Sequence, residues 1–215
     1  MFPLNAKLRE WMKLDGGQAL SKSFLLWIDS VGGFWVATGE RVTIGQPGES
    51  KENAPDVPIL GDLSHRHARI RRDGESYLIE AIRDVRVDGR LVVPIAALTD
   101  GCKIELGPSV RLKFRRPHAL TGTARLEFAS NHHTQPRVNA VILMADTCIL
   151  GPRPQSHIVC RDWQQEVILF KQDNELFCRT QGQLQIDGCS RRDRSRLAHN
   201  SQVVGDGFSF SLESL

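Results

Sequence analysis

Hydrophobic and polar residues alternate along most of this chain, and the alternation predicts short β-strands. The stretch 68–71, Ala-Arg-Ile-Arg, places small or apolar residues on one side and arginines on the other, which is the two-residue period of a strand with one buried face. Further strand-like stretches lie at 24–38, 41–45, 75–82, 85–93, 110–114 and 123–128. Short strands at this spacing, separated by glycine-containing turns and without a helix pattern between them, predict an all-β sandwich.

The N-terminal residues 1–22 follow a different period. Apolar residues recur there at three- and four-residue spacing, as Leu4, Leu8, Trp11 and Met12. This pattern predicts a short amphipathic helix that ends at Gly16-Gly17. Such a helix could pack on the sandwich, link it to another part of the chain, or bind a partner.

Length and composition narrow the class of protein. With 215 residues, the chain has room for one large domain or two of about a hundred residues. Apolar residues make up 40% and charged residues 25%, which predicts a soluble globular protein, and a net charge of +3 does not by itself imply a polyanionic partner. Five cysteines without a C-x-x-C pair predict mostly buried thiols in a reducing compartment. No apolar run is long enough for a membrane span, so we expect a cytoplasmic protein without membrane contact.

The second half of the sequence repeats the first. Ile149-Leu150-Gly151 is like Thr43-Ile44-Gly45, and Ile186-Asp187-Gly188 mirrors Val87-Asp88-Gly89. Three acidic residues recur one hundred positions later: Asp62, Asp73 and Glu75 as Asp162, Asp173 and Glu175. With that spacing, Gln164 takes the place of Ser64 and Val167 takes the place of His67. We therefore predict an N-terminal segment 1–22, a sandwich at 23–117, a strand and linker at 118–137, and a second sandwich at 138–215.

An ordered set of motifs in the first half resembles the forkhead-associated (FHA) domain. The motifs are Ile44-Gly45, Ser64-x-x-His67-Ala68, Val87-Asp88-Gly89 and Leu98-x-Asp100-Gly101-x-x-Ile104-x-Leu106-Gly107. The resemblance covers residues 24–116 and implies a β-sandwich that binds phosphothreonine peptides. The second half resembles a degenerate copy, so the predicted architecture is two tandem FHA-like β-sandwiches preceded by a short helix.

The resemblance also implies where a phosphopeptide would bind. The family has an arginine after the motif glycine, where this chain has Gln46, and an asparagine near the position of Arg83. Ser64 keeps its hydroxyl, His65 could act as a pH-dependent cation, and Arg66 is adjacent. The binding candidates are Gln46, Ser64, His65, Arg66 and Arg83. The structural motif residues are Gly45, His67, Asp88, Gly89 and Gly107.

These departures keep several functions open. Loss of the usual arginine and asparagine weakens phosphothreonine binding without abolishing its basis, so the expected function is a non-catalytic protein-interaction module in signalling. A phosphate-independent scaffold or dimerisation protein is the alternative. Nucleic-acid binding by the basic stretches 66–72 and 111–116 is disfavoured because aromatic residues are not interleaved with the arginines. No enzyme, cofactor or metal motif is present, since the pair His65 and His67 lacks a third ligand. The sequence leaves the oligomeric state open.

Overall fold

The computed structural model describes residues 21–48, 54–118, 120–192 and 194–215, and within these ranges the regular secondary structure consists of β-strands. The predicted helix in 1–22 lies outside the described residues. From the start of the chain the strands are β1 (Ser23–Ile28), β2 (Gly32–Ala37), β3 (Arg41–Gly45), β4 (Val57–Leu60), β5 (Ala68–Asp73), β6 (Ser76–Ala81), β7 (Val85–Val87), β8 (Arg90–Leu91), β9 (Ile95–Leu98), β10 (Lys103–Leu106), β11 (Val110–Arg115) and β12 (Ala124–Phe128). They continue as β13 (His133–Thr134), β14 (Ala140–Leu143), β15 (Thr147–Gly151), β16 (Ile158–Val159), β17 (Val167–Gln172), β18 (Glu175–Thr180), β19 (Gln183–Ile186), β20 (Cys189–Arg192), β21 (Ser195–Leu197), β22 (Gln202–Gly205) and β23 (Phe208–Ser214). The all-β prediction is confirmed.

The strands form three sheets. A 12-stranded sheet has the order β20-β19-β22-β23-β1-β2-β14-β12-β11-β10-β7-β8. A six-stranded sheet, β13-β4-β3-β5-β6-β9, and a five-stranded sheet, β16-β15-β17-β18-β21, accompany it. The strands β3–β11 (41–115) are called the first half below, and the strands β15–β23 (147–214) are called the second half.

Two hydrophobic cores lie on opposite faces of the central strands. On β1, Leu25 belongs to the core of the first half, whereas its neighbours Phe24 and Leu26 belong to the core of the second half. On β14, Val141 and Ile142 divide in the same way. Because successive side chains of a strand point to opposite faces, β1, β2 and β14 are buried on both sides and contribute to both cores.

The pairing of the long sheet is symmetric about its centre. β2 and β14 pair in parallel, and the order read outward from them matches strand for strand: β14 with β2, β12 with β1, β11 with β23, and so on to β8 with β20. The first strand, β1, pairs with the last, β23, while β12 pairs with β11. Within the predicted linker, β13 pairs with β4 at the edge of the six-stranded sheet. The division into domains at 23–117 and 138–215 stays a prediction.

Strand register corrects the sequence alignment of the two halves. In the first half Ile44 pairs with Ala68, and in the second half Leu150 pairs with Val167. Ala68 and Val167 are therefore equivalent, and the prediction that Val167 corresponds to His67 is wrong by one residue.

The physical reason is a shorter loop. The residues between the buried anchor Leu63 and β5 are 64–67, whereas those between Trp163 and β17 are 164–166. The loop of the second half has lost one position, so a constant spacing of one hundred fails from there onward. Glu166, the residue before β17, corresponds to His67.

The described residues include no helix that is long and apolar enough to cross a membrane.

Candidate functional site

The candidate site is built where the end of β3 meets the loop that precedes β5. The amide of Gln46 donates to the carbonyl oxygen of Ser64 at 3.0 Å. Gly45 is buried against this loop, and a Cβ at Gly45 would collide with the carbonyl oxygens of Ser64 and His65. The motif glycine is therefore required by close approach of two backbones, and its function is to bring Gln46 beside Ser64.

His67 joins this loop to the next one along the site. Its side chain is buried, with 4% exposure. Nδ1 accepts the Ser64 amide at 3.3 Å, so the neutral ring carries its proton on Nε2, which donates to the Asp84 carbonyl oxygen at 2.8 Å. The same carbonyl accepts the amide of Gly107 at 3.0 Å. The imidazole thus joins the loop before β5 to the loop between β6 and β7, and the Asp84 carbonyl joins the latter to the loop after β10.

Four of the five binding candidates are exposed around this brace. Gln46, His65, Arg66 and Arg83 are exposed, and Ser64 is half-buried. Arg83 is held close because its amide donates to the His67 carbonyl oxygen at 2.9 Å. The structure therefore brings the five candidates together in one loop cluster, called the 46/64/83 cluster below.

The 46/64/83 cluster contains two arginines whose side chains have no partner among the described residues. Neither the Arg66 nor the Arg83 guanidinium makes a hydrogen bond or an ion pair there. Asp62 and Asp84 are exposed beside them and offset part of the positive charge. The His65 ring stays near its loop, with Nδ1 3.4 Å from the Gln46 carbonyl oxygen.

Asp88 and Gly89 perform a different task, away from the cluster. Both adopt positive φ, 49° and 79°, in the turn between β7 and β8. The Asp88 carboxylate accepts the amide of Lys103 at 2.9 Å, and in the second half Asp187 accepts the amide of Gln202 at 2.8 Å. In both halves the aspartate of the Asp-Gly turn is therefore hydrogen-bonded to the backbone of a neighbouring strand.

The basic stretches of the first half are largely neutralised. Ion pairs join Arg69 to Glu80 at 3.1 Å, Arg111 to Glu105 at 3.7 Å, Arg115 to Asp100 at 3.3 Å and Arg116 to Glu75 at 3.5 Å. Four of the arginines that the sequence grouped as a basic face thus meet carboxylates on strands or in turns. They lie on two different sheets, because Arg69 is on β5 and Arg111 and Arg115 are on β11.

The corresponding place in the second half has different chemistry. A groove there is lined by Pro152, Arg153, Gln164, Gln165, Glu166, Arg179 and Gln181, among others. Glu166, at the position of His67, pairs with Arg153 at 3.5 Å, and its carbonyl accepts the Thr180 hydroxyl at 2.9 Å. The ion pair between Arg153 and Glu166 thus lies where the first half presents exposed arginines.

His157 is a buried polar residue that the sequence reading did not single out. Nδ1 accepts the Ile149 amide at 2.8 Å, so the neutral ring donates from Nε2 to the Thr121 hydroxyl at 2.7 Å. Burial, with smaller contributions from His118 and Arg125, lowers the pKa of His157 to about 4. In the first half Asp56 holds the equivalent β3 amide, that of Thr43, at 2.7 Å. A repeat alignment extended to the residue before β4 and β16 would have found this pair.

The described residues hold no group of three or more potential metal ligands, and three buried thiols are poor nucleophiles. Desolvation by burial raises the pKa of Cys148 and Cys160 to about 12 and that of Cys178 to about 11. A thiol with a raised pKa is protonated at neutral pH and unreactive.

No protein-family model matches the chain, and no curated protein matches it significantly. Solved structures of FHA domains do. The FHA domain of the CT664 protein from Chlamydia trachomatis is 23% identical over 40% of this chain and 89% of its own, with a TM-score of 0.30. Mycobacterium tuberculosis EmbR, in complex with a low-affinity phosphopeptide, is 23% identical over 53% of this chain and 32% of its own, with a TM-score of 0.33. The chain is thus similar to solved FHA domains.

A third FHA-like neighbour spans both halves. The N-terminal FHA domain of EssC, a component of the bacterial type VII secretion apparatus, is 11% identical over 88% of this chain and 92% of its own, with a TM-score of 0.24. At these TM-scores the roles of individual residues rest on the geometry of this chain.

Proposed function

We propose that the first half is a non-catalytic protein-interaction module that binds phosphothreonine peptides at the 46/64/83 cluster. The observation that supports it best is the loop arrangement braced by His67, which brings Ser64 and two exposed arginines into one loop cluster. A rigid frame with arginines that lack ion-pair partners among the described residues suits a multiply charged anion.

Each candidate has a chemical role in this proposal. A phosphothreonine brings a charge of about −1.5 to −2 and three acceptor oxygens. The Ser64 hydroxyl and the Gln46 amide donate neutral hydrogen bonds, while Arg83 and Arg66 supply charge-assisted ones, and His65 adds charge when protonated. Charge-assisted bonds are roughly twice as strong as neutral ones. With Gln46 in place of an arginine, we therefore expect moderate affinity that depends on Arg83 and Arg66.

A phosphothreonine peptide library, arrayed beside its dephosphorylated twin, tests the proposal. The best peptide is then titrated by fluorescence anisotropy against wild type, Ser64→Ala and Arg83→Gln. A hydrogen bond to a charged group contributes about 1.5–3 kcal/mol, so Arg83→Gln should weaken binding at least tenfold. Arg90→Gln, an exposed arginine on β8, is the matched control and should bind as wild type does. Equal signals for the phosphorylated and dephosphorylated peptides would overturn the proposal.

A second candidate function is phosphate-independent dimerisation. Exposed aliphatic side chains within the first half support it. Leu91, Val93 and Ile95 are 54%, 76% and 46% exposed. The corresponding residues of the second half, around 190–194, are polar, so the fold itself does not require aliphatic residues here. Sedimentation velocity at micromolar concentrations tests this candidate. A dimer that dissociates in Val93→Glu supports it, and a monomer at all concentrations excludes it.

We also infer that the chain is a tandem of two FHA-like units, of which the second is degenerate. The two cores and the strand-for-strand correspondence of the halves support this. Because β1 and β2 pack into both cores, the units should depend on each other for stability. Residues 138–215 expressed alone should therefore be unfolded by circular dichroism, and a folded fragment would show an independent second unit.

A further inference from the structure

The outer faces of the two smaller sheets differ in chemistry. In the first half, one cross-strand row is Thr43–Arg69–Glu80–Ile95 and the next is Arg41–Arg71–Leu78–Ala97. In the second half, the equivalent rows are Ile149–Ile168–Arg179 and Thr147–Phe170–Phe177–Arg196. The first face is charged and paired within itself, whereas the second is apolar at its centre and carries arginines at its side.

The centre of the second face is an aromatic pair. Phe170 and Phe177 lie directly opposite each other on β17 and β18, with ring centroids 5.6 Å apart and planes 19° from parallel. Neither ring belongs to the hydrophobic core, and both are partly buried, with part of their surface accessible. The Arg194 guanidinium carbon lies 4.0 Å from the Phe177 centroid and 5.5 Å from the Phe170 centroid. The planar guanidinium of Arg194 thus lies over the pair of rings, and these three side chains are called the platform below.

The charge around this platform is positive. Arg179 and Arg194 are exposed, and neither makes an ion pair with a described residue. Arg196 pairs with Glu175 at 3.0 Å, and Arg153 pairs with Glu166 at the edge of the sheet. The described residues at this face therefore carry more arginines than carboxylates.

We propose that this face, formed by Phe170, Phe177, Arg179 and Arg194, binds single-stranded nucleic acid. Unpaired bases stack on exposed aromatic rings and on guanidinium planes, and the phosphates between them bind arginine. A sheet with aromatic residues on its central strands is one arrangement that offers both. The cations that face outward are arginines, which stack and bind phosphate through a planar fork, as lysine does not.

An acidic protein segment is the competing ligand for this surface. It would satisfy the positive charge, but it would gain little from a stacked pair of rings covered by a guanidinium. The two ligands therefore differ in how much they depend on the rings. Substitution of the rings, rather than of the charges, separates them.

The test is fluorescence anisotropy with fluorescein-labelled 12-nucleotide oligo-dT and oligo-rU, at 50 and 200 mM NaCl. The key variant is Phe177→Leu, because leucine is the residue at the equivalent position of the first half, Leu78. A stacked base contributes about 1–3 kcal/mol, so binding should weaken about fivefold or more without loss of folding. Arg179→Gln should weaken binding and reduce the salt slope by about one.

The control is Arg71→Gln, on the equivalent face of the first half, which should leave oligonucleotide binding unchanged. Polyglutamate serves as the competitor. Displacement by polyglutamate at equal charge concentration, together with full binding by Phe177→Leu, would show that an acidic protein is the ligand and overturn the proposal. Absence of binding to both oligonucleotides at 50 mM NaCl would also overturn it. Phosphopeptide binding by the first half is independent of either outcome.

Discussion

The loops that precede β5 and β17 occupy the same place in the two halves and differ in both length and chemistry. In the first half the loop 64–67 ends in His67, whose ring is hydrogen-bonded to Ser64 and Asp84, and Arg83 next to Asp84 is exposed. In the second half the loop 164–166 is one residue shorter and ends in Glu166, which pairs with Arg153. The first arrangement presents two arginines without ion-pair partners among the described residues, whereas in the second Arg153 is paired. The sheet that carries the loop is present in both halves.

Framework hydrogen bonds behave in the opposite way and persist in both halves. Asp88 and Asp187 accept the amide of a neighbouring strand with the same geometry. The amides of Thr43 and Ile149 are both held by a side chain, although that side chain is a carboxylate in Asp56 and an imidazole in His157. The fold therefore conserves the donor that must be satisfied and permits a change in the acceptor.

The largest expected effect is from His67→Ala. The substitution removes a buried ring and its two hydrogen bonds, and it leaves the Ser64 amide without its acceptor. A loss of about 3 kcal/mol in the free energy of unfolding is expected from these terms. Urea titration followed by tryptophan fluorescence measures it. An unchanged urea midpoint would show that His67 is not the brace between these loops.

His157 should make the stability of the protein depend on pH. Its pKa is about 4 in the folded chain, below the ordinary value of 6.5, because burial disfavours the charged ring. As the pH falls below 6.5 the unfolded chain takes up the proton first, so stability is full above pH 6.5 and is lost toward pH 4. Since one pKa unit corresponds to about 1.4 kcal/mol, the loss is at most about 3 kcal/mol.

His157→Asn isolates this contribution, because an amide oxygen can accept the Ile149 amide and does not titrate. The free energies of unfolding of wild type and variant are measured from pH 7.5 to 4.5. Their difference should shift in favour of the variant as the pH falls. Parallel curves for the two proteins would mean that His157 has the same pKa in the folded and the unfolded chain. The first half, where Asp56 holds the equivalent amide, has no matching histidine.

The motif glycines should respond unequally to alanine. At Gly45 the added Cβ meets the backbone carbonyls of Ser64 and His65, so the loop itself has to move. At Gly151 it meets the Glu166 side chain, with Cγ 2.8 Å away, which can turn aside. We expect a cost of about 2 kcal/mol for Gly45→Ala and less than about 1 kcal/mol for Gly151→Ala, measured by urea titration. Equal costs would contradict the difference in loop backbone between the halves.

The sequence predicted the strands better than the relation between them. Alternation in 68–71 and the Asp-Gly turns encode local geometry, because strand period and positive φ are decided by a few neighbouring residues. The pairing of β1 with β23 joins strands that are far apart in sequence, so local residues do not decide it. Nothing near Phe24 in sequence indicates that its side chain enters a core more than a hundred residues away, since a strand buried on both faces has no alternation to read.

The candidate site shows the same division. In the first half the structure brings Gly45, Ser64 and His67 together, as the motif spacing predicted. In the second half the loop before β17 is one residue shorter, and a one-residue shift in a strand exchanges its two faces. Because of that shift, the sequence alignment placed Val167, rather than Glu166, at the position of His67. It also did not identify Phe170 and Phe177 as a pair on the outer face, which follows from the register of β17 with β18.

The smallest expected effect is from Glu166→Gln, which removes the carboxylate that neutralises Arg153 while keeping the shape of the side chain. The ion pair is 3.5 Å long and lies at the surface, with side chains 69% and 34% exposed for Arg153 and Glu166, so its loss should change the free energy of unfolding by less than about 0.5 kcal/mol. What should change is the charge of the groove, where Arg153 would then join Arg179 in lacking an ion-pair partner among the described residues. If the second half lost its anion site through this pair, Glu166→Gln should gain weak binding of the phosphothreonine peptide in a protein whose first site is disabled by Arg83→Gln. If Glu166→Gln binds no better than Glu166 in that background, the shorter loop, rather than the ion pair, is what separates the second half from the first.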